Sequence, residues 1–274
     1  MENEIQSTAS QLFNLGPWIV SLLALVQVWI IEAWKKWRKG EVKIHDNGDI
    51  EIGYSQFGPT IGLYGTLQST KQDLFVKSAT LECTRLRDNA RHEFSWLAFR
   101  STQMITSEGE DVDLEIASGF LLPVSDPYKY NFLFNEDVFL EKYRNTLDEH
   151  QNKWLEYYRN RTDELMEKAM EEGKELADGP SLREYIFSEF SDNGNNMEVY
   201  EELKRFCYWE EGEYKVELNI KTTDHDDPFS QEYKFSLDEE DADQLRTNVI
   251  GILRSIAGLE PNYHFAYPNL SKTD

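Results

Sequence analysis

Between Glu4 and Glu32 the chain carries no charged side chain, and from Leu15 to Ile31 only Ser21 and Gln27 are polar. A bilayer hydrocarbon core of roughly 30 Å takes about 20 helical residues, and Leu12–Trp34 supplies 23. This stretch is expected to be one membrane-spanning helix that tethers the rest. A cleaved signal peptide would have a basic start and a small-residue cleavage site. Here the start is acidic, with Glu2 and Glu4, and no such site follows the apolar run. A buried core helix is disfavoured because the run is long and apolar all round. The basic residues Lys35, Lys36, Arg38 and Lys39, with Trp37 among them, come directly after the run, and none precedes it. Lys and Arg near a span stay on the cytoplasmic side. The expected placement is therefore a cell (inner) membrane, with the N-terminus outside and the C-terminal domain in the cytoplasm. Trp18 and Trp34 lie about 24 Å apart at helical rise, which suits anchors at the two interfaces. Ser21, Ala24 and Gln27 recur every three residues and offer a face for pairing two spans.

Of the 28 Lys and Arg and 51 Asp and Glu residues, four and three lie in the first 40 positions. The remaining 234 residues thus carry a net charge of −24. Such a surface repels nucleic acid and anionic lipid. It favours a basic protein partner or cations, or serves solubility alone. Cys83 and Cys207 are far apart, sit in apolar patterns and read as buried free thiols.

After the anchor the pattern has period two. Ile50, Ile52 and Tyr54 alternate with polar residues after the turn Asp46-Asn47-Gly48-Asp49. Ile61, Leu63, Gly65 and Leu67 form a second strand, and Leu74–Arg87 a third. His92–Phe99 follows, with Phe94, Trp96 and Ala98 expected on one face. Val112–Leu122 is a fifth strand, ended by Pro123 and Pro127. The period then changes. Asn135 is expected to cap a long helix to about Gly173, with Leu140, Tyr143, Leu147, Trp154, Tyr158 and Leu165 at three-and-four spacing. Shorter helices are expected at Leu182–Phe190, with Ser181 and Glu184 as a capping box, and at Met197–Trp209. Strict alternation resumes with Tyr214, Val216, Leu218 and Ile220, then Tyr233-Lys234-Phe235. Asp238 caps a closing helix, Glu239–Ala257.

Seven short strands with turn signals suggest an antiparallel immunoglobulin-like β-sandwich. The expected organisation is an anchor at 1–40, a sandwich with a closing helix from 41–130 and 211–274, and an acidic helical insertion at 131–210. The rival is a separate C-terminal α+β domain. Ile50-Glu51-Ile52-Gly53-Tyr54, Gly58-Pro59-Thr60-Ile61-Gly62-Leu63-Tyr64-Gly65-Thr66-Leu67 and His92–Arg100 carry a resemblance. They resemble uncharacterised bacterial membrane-anchored proteins with an immunoglobulin-like sandwich, over roughly residues 15–122. The Cys…Trp…Cys spacing of immunoglobulin domains is absent. The resemblance implies a bacterial origin and a binding or scaffolding role.

The sequence holds no G-x-S-x-G, P-loop or G-x-G-x-x-G motif, and no two histidines stand at metal-ligand spacing. No cofactor and no catalytic residue is indicated. Asp224, Asp226 and Asp227 at one loop could hold a divalent cation, though without EF-hand spacing. Trp154, Tyr157 and Tyr158 crowd the long helix and mark either a partner surface or packing against the strands. The functional expectation is a membrane-anchored, cytoplasm-facing interaction or scaffold module. The alternative is a membrane-tethered hydrolase, or a metal- or ligand-binding enzyme, using the loop at 224–227.

Overall fold

A computed structural model of the chain describes residues 40–106, 109–173 and 179–272, together with Gln27, Trp29 and Ile30. Eleven strands form one antiparallel sheet that curls into a half-barrel. They are β1 (Glu41–Ser55), β2 (Gly58–Thr70), β3 (Leu74–Arg85), β4 (Ala90–Thr106), β5 (Gly109–Ile116), β6 (Phe120–Leu122), β7 (Tyr128–Asn135), β8 (Gly212–Thr222), β9 (Phe229–Leu237), β10 (Phe265–Ala266) and β11 (Ser271–Lys272). Their order across the sheet is β10-β1-β2-β7-β4-β3-β8-β9-β11, with β5 on β4 and β6 on β3. Among the described residues from 40 onward, four helices complete it: α1 (Asp137–Glu172), α2 (Pro180–Asp192), α3 (Met197–Phe206) and α4 (Glu239–Ile256).

Two expectations are corrected. The first is the immunoglobulin-like sandwich. β3 pairs with β4 on one side and β8 on the other, so the strands before and after the helices run on as one sheet. Alternation along a strand specifies which residues share a face. It does not specify whether neighbouring strands share a sheet. The second is the transmembrane helix. Among the described residues no helix is long and apolar enough to cross a membrane. The expected span Leu12–Trp34 and its flank Lys35, Lys36, Trp37, Arg38 and Lys39, with the anchors Trp18 and Trp34, lie outside the described residues. The exceptions are Gln27, Trp29 and Ile30, which are helical and exposed.

The first face of the sheet holds the core. Ile50, Ile52 and Tyr54 pack beside Ile61, Leu63, Phe132 and Phe134, all buried. A bulge in β4 between Trp96 and Ala98 reverses the strand's parity. Trp96 and Phe99 therefore share the first face, each ring within 5.5 Å of Phe132. Ala98 turns to the second face, away from Phe94 and Trp96. The helices are tied to this core by two buried hydrogen bonds. Tyr54 Oη donates to the Leu203 carbonyl at 2.7 Å, and Trp209 Nε1 donates to the Gly53 carbonyl at 2.9 Å.

Helix ends follow local chemistry. α1 stops at Gly173, which is left-handed at φ 65° and closes on the carbonyls of Ala169 and Met170. Asp238 caps α4 by accepting from the Asp241 amide at 2.8 Å. The box expected at Ser181 and Glu184 does not form. α2 begins two residues earlier, at Pro180, and Glu184 pairs with Arg254 of α4 instead.

The segment after α4 closes the sheet laterally. β10 pairs with β1, β11 pairs with β9, and only four residues separate β10 from β11. Between them the Leu270 amide donates to the Gly48 carbonyl at 2.7 Å, and Lys272 pairs with Asp46 at 3.0 Å.

Candidate functional site

Trp154 is buried, packed against the rings of Phe187 and Phe190 in α2. Tyr157 is half-buried, with its ring on Phe190 and its hydroxyl accepting from Asn193. Tyr158 is half-buried with the Arg183 guanidinium over its ring at 5.2 Å. The three residues thus join α1 to α2. Beyond them Arg161 pairs with Glu189 at 2.9 Å, and no later residue of α1 is buried. Met166 and Met170 stand exposed on this last stretch, Met170 by 79%. Asp163, Glu164, Glu167 and Glu171 surround them.

Asp224, Asp226 and Asp227 are exposed at the tip of the β8–β9 loop. Asp224 accepts from Gln72 Nε2 and from the Thr223 hydroxyl, both at 3.2 Å. Among the described residues no three His, Cys, Asp or Glu side chains converge as a metal site needs.

The sheet does bring together one set with the residue types of a nucleophilic triad. Cys83 lies directly across from His92, and His92 Nδ1 is 3.1 Å from a Glu136 carboxylate oxygen. The His92 ring stacks on Tyr208 at 3.6 Å. Cys83, however, is 1% exposed, and burial pushes its thiol far up, with Glu136 and Glu82 adding to the effect. A nucleophile needs the thiolate, so Cys83 is a packing residue.

The built cavity lies on the second face, at the β1 end of the sheet. Register defines it. Glu51 sits opposite Gly62 of β2, Gly62 opposite Leu133 of β7, and Leu133 opposite Ala98 of β4. Arg100, two residues beyond Ala98, shares that face, and Leu114 of β5 lies opposite it. On the other flank Phe265 faces Gly53. Period two then sends Tyr263, Phe265 and Tyr267 to the same side.

Arg100 and Glu51 are three strand spacings apart, roughly 14 Å. Their side chains lie along the sheet to meet, with Nη1 of Arg100 donating to Glu51 at 2.8 Å. Gly62 makes the crossing possible, because a Cβ there would sit 2.1 Å from Arg100 Nη2. The pair is largely desolvated, at 15% exposure for the Arg100 side chain and 8% for Glu51. Nη1 alone serves Glu51. The Nε and Nη2 atoms of Arg100 are buried and have no hydrogen-bond partner among the described residues. Tyr64 reports on the local field. Burial, and then the Glu51 and Asp49 carboxylates, raise its hydroxyl, while Arg100 lowers it.

Above this pair is a cavity of about 420 Å³, open to solvent on one side. Phe57 of the β1–β2 turn, Tyr263, Phe265 and Tyr267 form its aromatic walls, and Leu114 and Leu133 its apolar floor. A volume in the range of small-molecule sites, apolar walls and a few fixed polar groups are the usual anatomy of a ligand pocket. The residue pattern sets Glu51 within a strand and Arg100 just past the end of another, and marks neither for a role. The signal available was the run Tyr263, Phe265 and Tyr267 at period two in an otherwise irregular segment.

Comparison of the chain with protein-family models, with curated proteins and with solved structures finds no match.

Proposed function

We propose that this protein is an interaction module held at the cytoplasmic face of a cell membrane, with the outer part of α1 as its recognition surface. The observation that carries the reading is the length of α1 against the length that is used. Thirty-six residues make a rod of about 54 Å, yet its buried residues, Phe139, Tyr143, His150 and Trp154, all fall in the first half. The second half extends past its last pairing with α2 and displays Met166 and Met170 within an acidic surround. Methionine is flexible and polarizable, which suits a surface that adapts to a partner. The matching partner is a protein with basic side chains around an apolar strip. The membrane placement is supported by the basic cluster at 35–39, which suits the anionic surface of a cytoplasmic leaflet.

The test is copurification of the tagged full chain from mild detergent, compared with a Met166→Asp, Met170→Asp double variant. The expected result is a stoichiometric partner that is lost in the variant and weakened by salt, while the variant's melting temperature is unchanged. A partner retained at full stoichiometry by the double variant would remove α1 as the recognition surface.

A further inference from the structure

We infer that the second-face cavity is a binding site for a small aromatic carboxylate, held by the free edge of Arg100. The argument begins with an unmet demand. Arginine presents donors in a planar fork that matches the two oxygens of a carboxylate. Here one corner of the guanidinium is occupied by Glu51, and the Nε–Nη2 edge is buried without a partner. Leaving charged donors buried and unpaired is costly. A native site that keeps such an edge is built for an acceptor that arrives from outside.

The acceptor's class follows from charge and shape. Glu51 neutralises Arg100, and the whole chain carries a formal charge of −23. A polyphosphate would enter a neutral floor inside a negative field, with no second cation lining the cavity among the described residues. A single carboxylate satisfies the two donors and adds only one charge. The walls decide the remainder of the ligand. Tyr263, Phe265, Tyr267 and Phe57 offer ring faces and edges, and Leu114 and Leu133 line the opposite side. A flat, apolar body stacks there, since aromatic pairs prefer offset or edge-to-face contact. The cavity of about 420 Å³ has room for one or two fused rings.

The site is independent of the outer part of α1, because none of its lining residues comes from a helix. Occupancy would stiffen the contact between β1 and the segment 263–267, which covers it.

The experiment is calorimetric titration of the full chain in mild detergent with benzoate and indole-3-acetate. Indole and inorganic phosphate serve as the neutral and inorganic comparators. Indole-3-acetate is expected to bind, with indole and phosphate each at least tenfold weaker. Arg100→Lys keeps the charge opposite Glu51 and removes the fork, and is expected to weaken indole-3-acetate at least tenfold. Tyr267→Ala removes an exposed wall together with a hydroxyl that meets Glu51, and should weaken it several-fold. The inference is overturned if neither carboxylate binds the native chain at millimolar concentration. It is equally overturned if indole or phosphate binds as well as indole-3-acetate, or if both variants bind it like the native chain. Should Arg100→Lys fail to fold, Tyr267→Ala and the comparators decide the question alone.

Discussion

β1 and β8 belong to one sheet and were read from the same alternation, yet they are buried in different ways. Along β8, Tyr214, Val216, Leu218 and Ile220 are buried, while the residues between them are part-exposed or exposed. Along the second half of β1, every residue from Ile50 to Ser55 is buried. The strands have the same geometry. The difference lies in what covers the second face. Over β8 it is solvent; over β1 it is the chain's own segment 263–267. A sheet can therefore be one-sided at one end and two-sided at the other. The two-sided end is where charge is buried and where a cavity can form.

The sharpest way to break this comparison is Glu51→Ala. It strands the Arg100 guanidinium on the covered face, and removing one partner of a buried pair costs roughly 3–5 kcal/mol. Guanidinium unfolding should show a loss of that order; a loss below about 1 kcal/mol would mean that water reaches the pair freely. Next comes Gly53→Ala. Its Cβ would stand 2.5 Å from Thr60 Oγ1 and 2.8 Å from the Phe265 ring, so the cover must shift. Overpacking of this kind costs about 1–3 kcal/mol, and the same unfolding curves would register it.

The helical layer supplies a third test, set by pH. His150 is buried against Phe190, and burial holds its pKa below the usual histidine value. The unfolded chain thus binds a proton more readily than the folded one. The stability that His150 contributes is complete above about pH 6.5 and declines as pH falls through its folded value. His150→Gln should flatten the stability profile between pH 6.5 and 5 relative to the native chain. Parallel profiles would assign the acid sensitivity elsewhere. The smallest effect is expected on the open face of β8. Lys215 meets Glu232 at 2.6 Å, but both side chains are about one-third or more exposed. Lys215→Ala should change unfolding free energy by less than about 1 kcal/mol.

These contrasts show what was legible in the residues. Tyr214, Val216, Leu218 and Ile220 were readable because hydrophobic alternation and one-sided burial coincide. Ile50, Ile52 and Tyr54 were readable from alternation alone, although both faces are buried there. Burial of Glu51 and Ser55 was not, since the cover comes from more than 200 positions away. β7 was hidden by punctuation. Pro127 signals an end to the strands and Asn135 a start to the helix, yet Tyr128, Tyr130, Phe132 and Phe134 alternate between them. Arg100 was obscured by one extra residue. The bulge after Trp96 reverses every later position of β4, and a slip of one moves a side chain to the opposite face. The sandwich expectation failed at a different level, because residue patterns do not say how many sheets their strands compose.

The placement of β10 and β11 has a consequence for synthesis. β1 and β9 are the lateral strands, and their outer hydrogen-bonding groups meet partners only when residues 265–272 arrive. A nascent chain that has emerged through α4 already holds most of its core but exposes both flanks. Unpaired flanks are templates for a neighbour's strand. On a polysome, where copies of the same chain emerge side by side, the interval before the last ribbon docks is the period of greatest risk. A ribosome that stalls after Gly258 would release a product that has most of its core and is open to joining its neighbours.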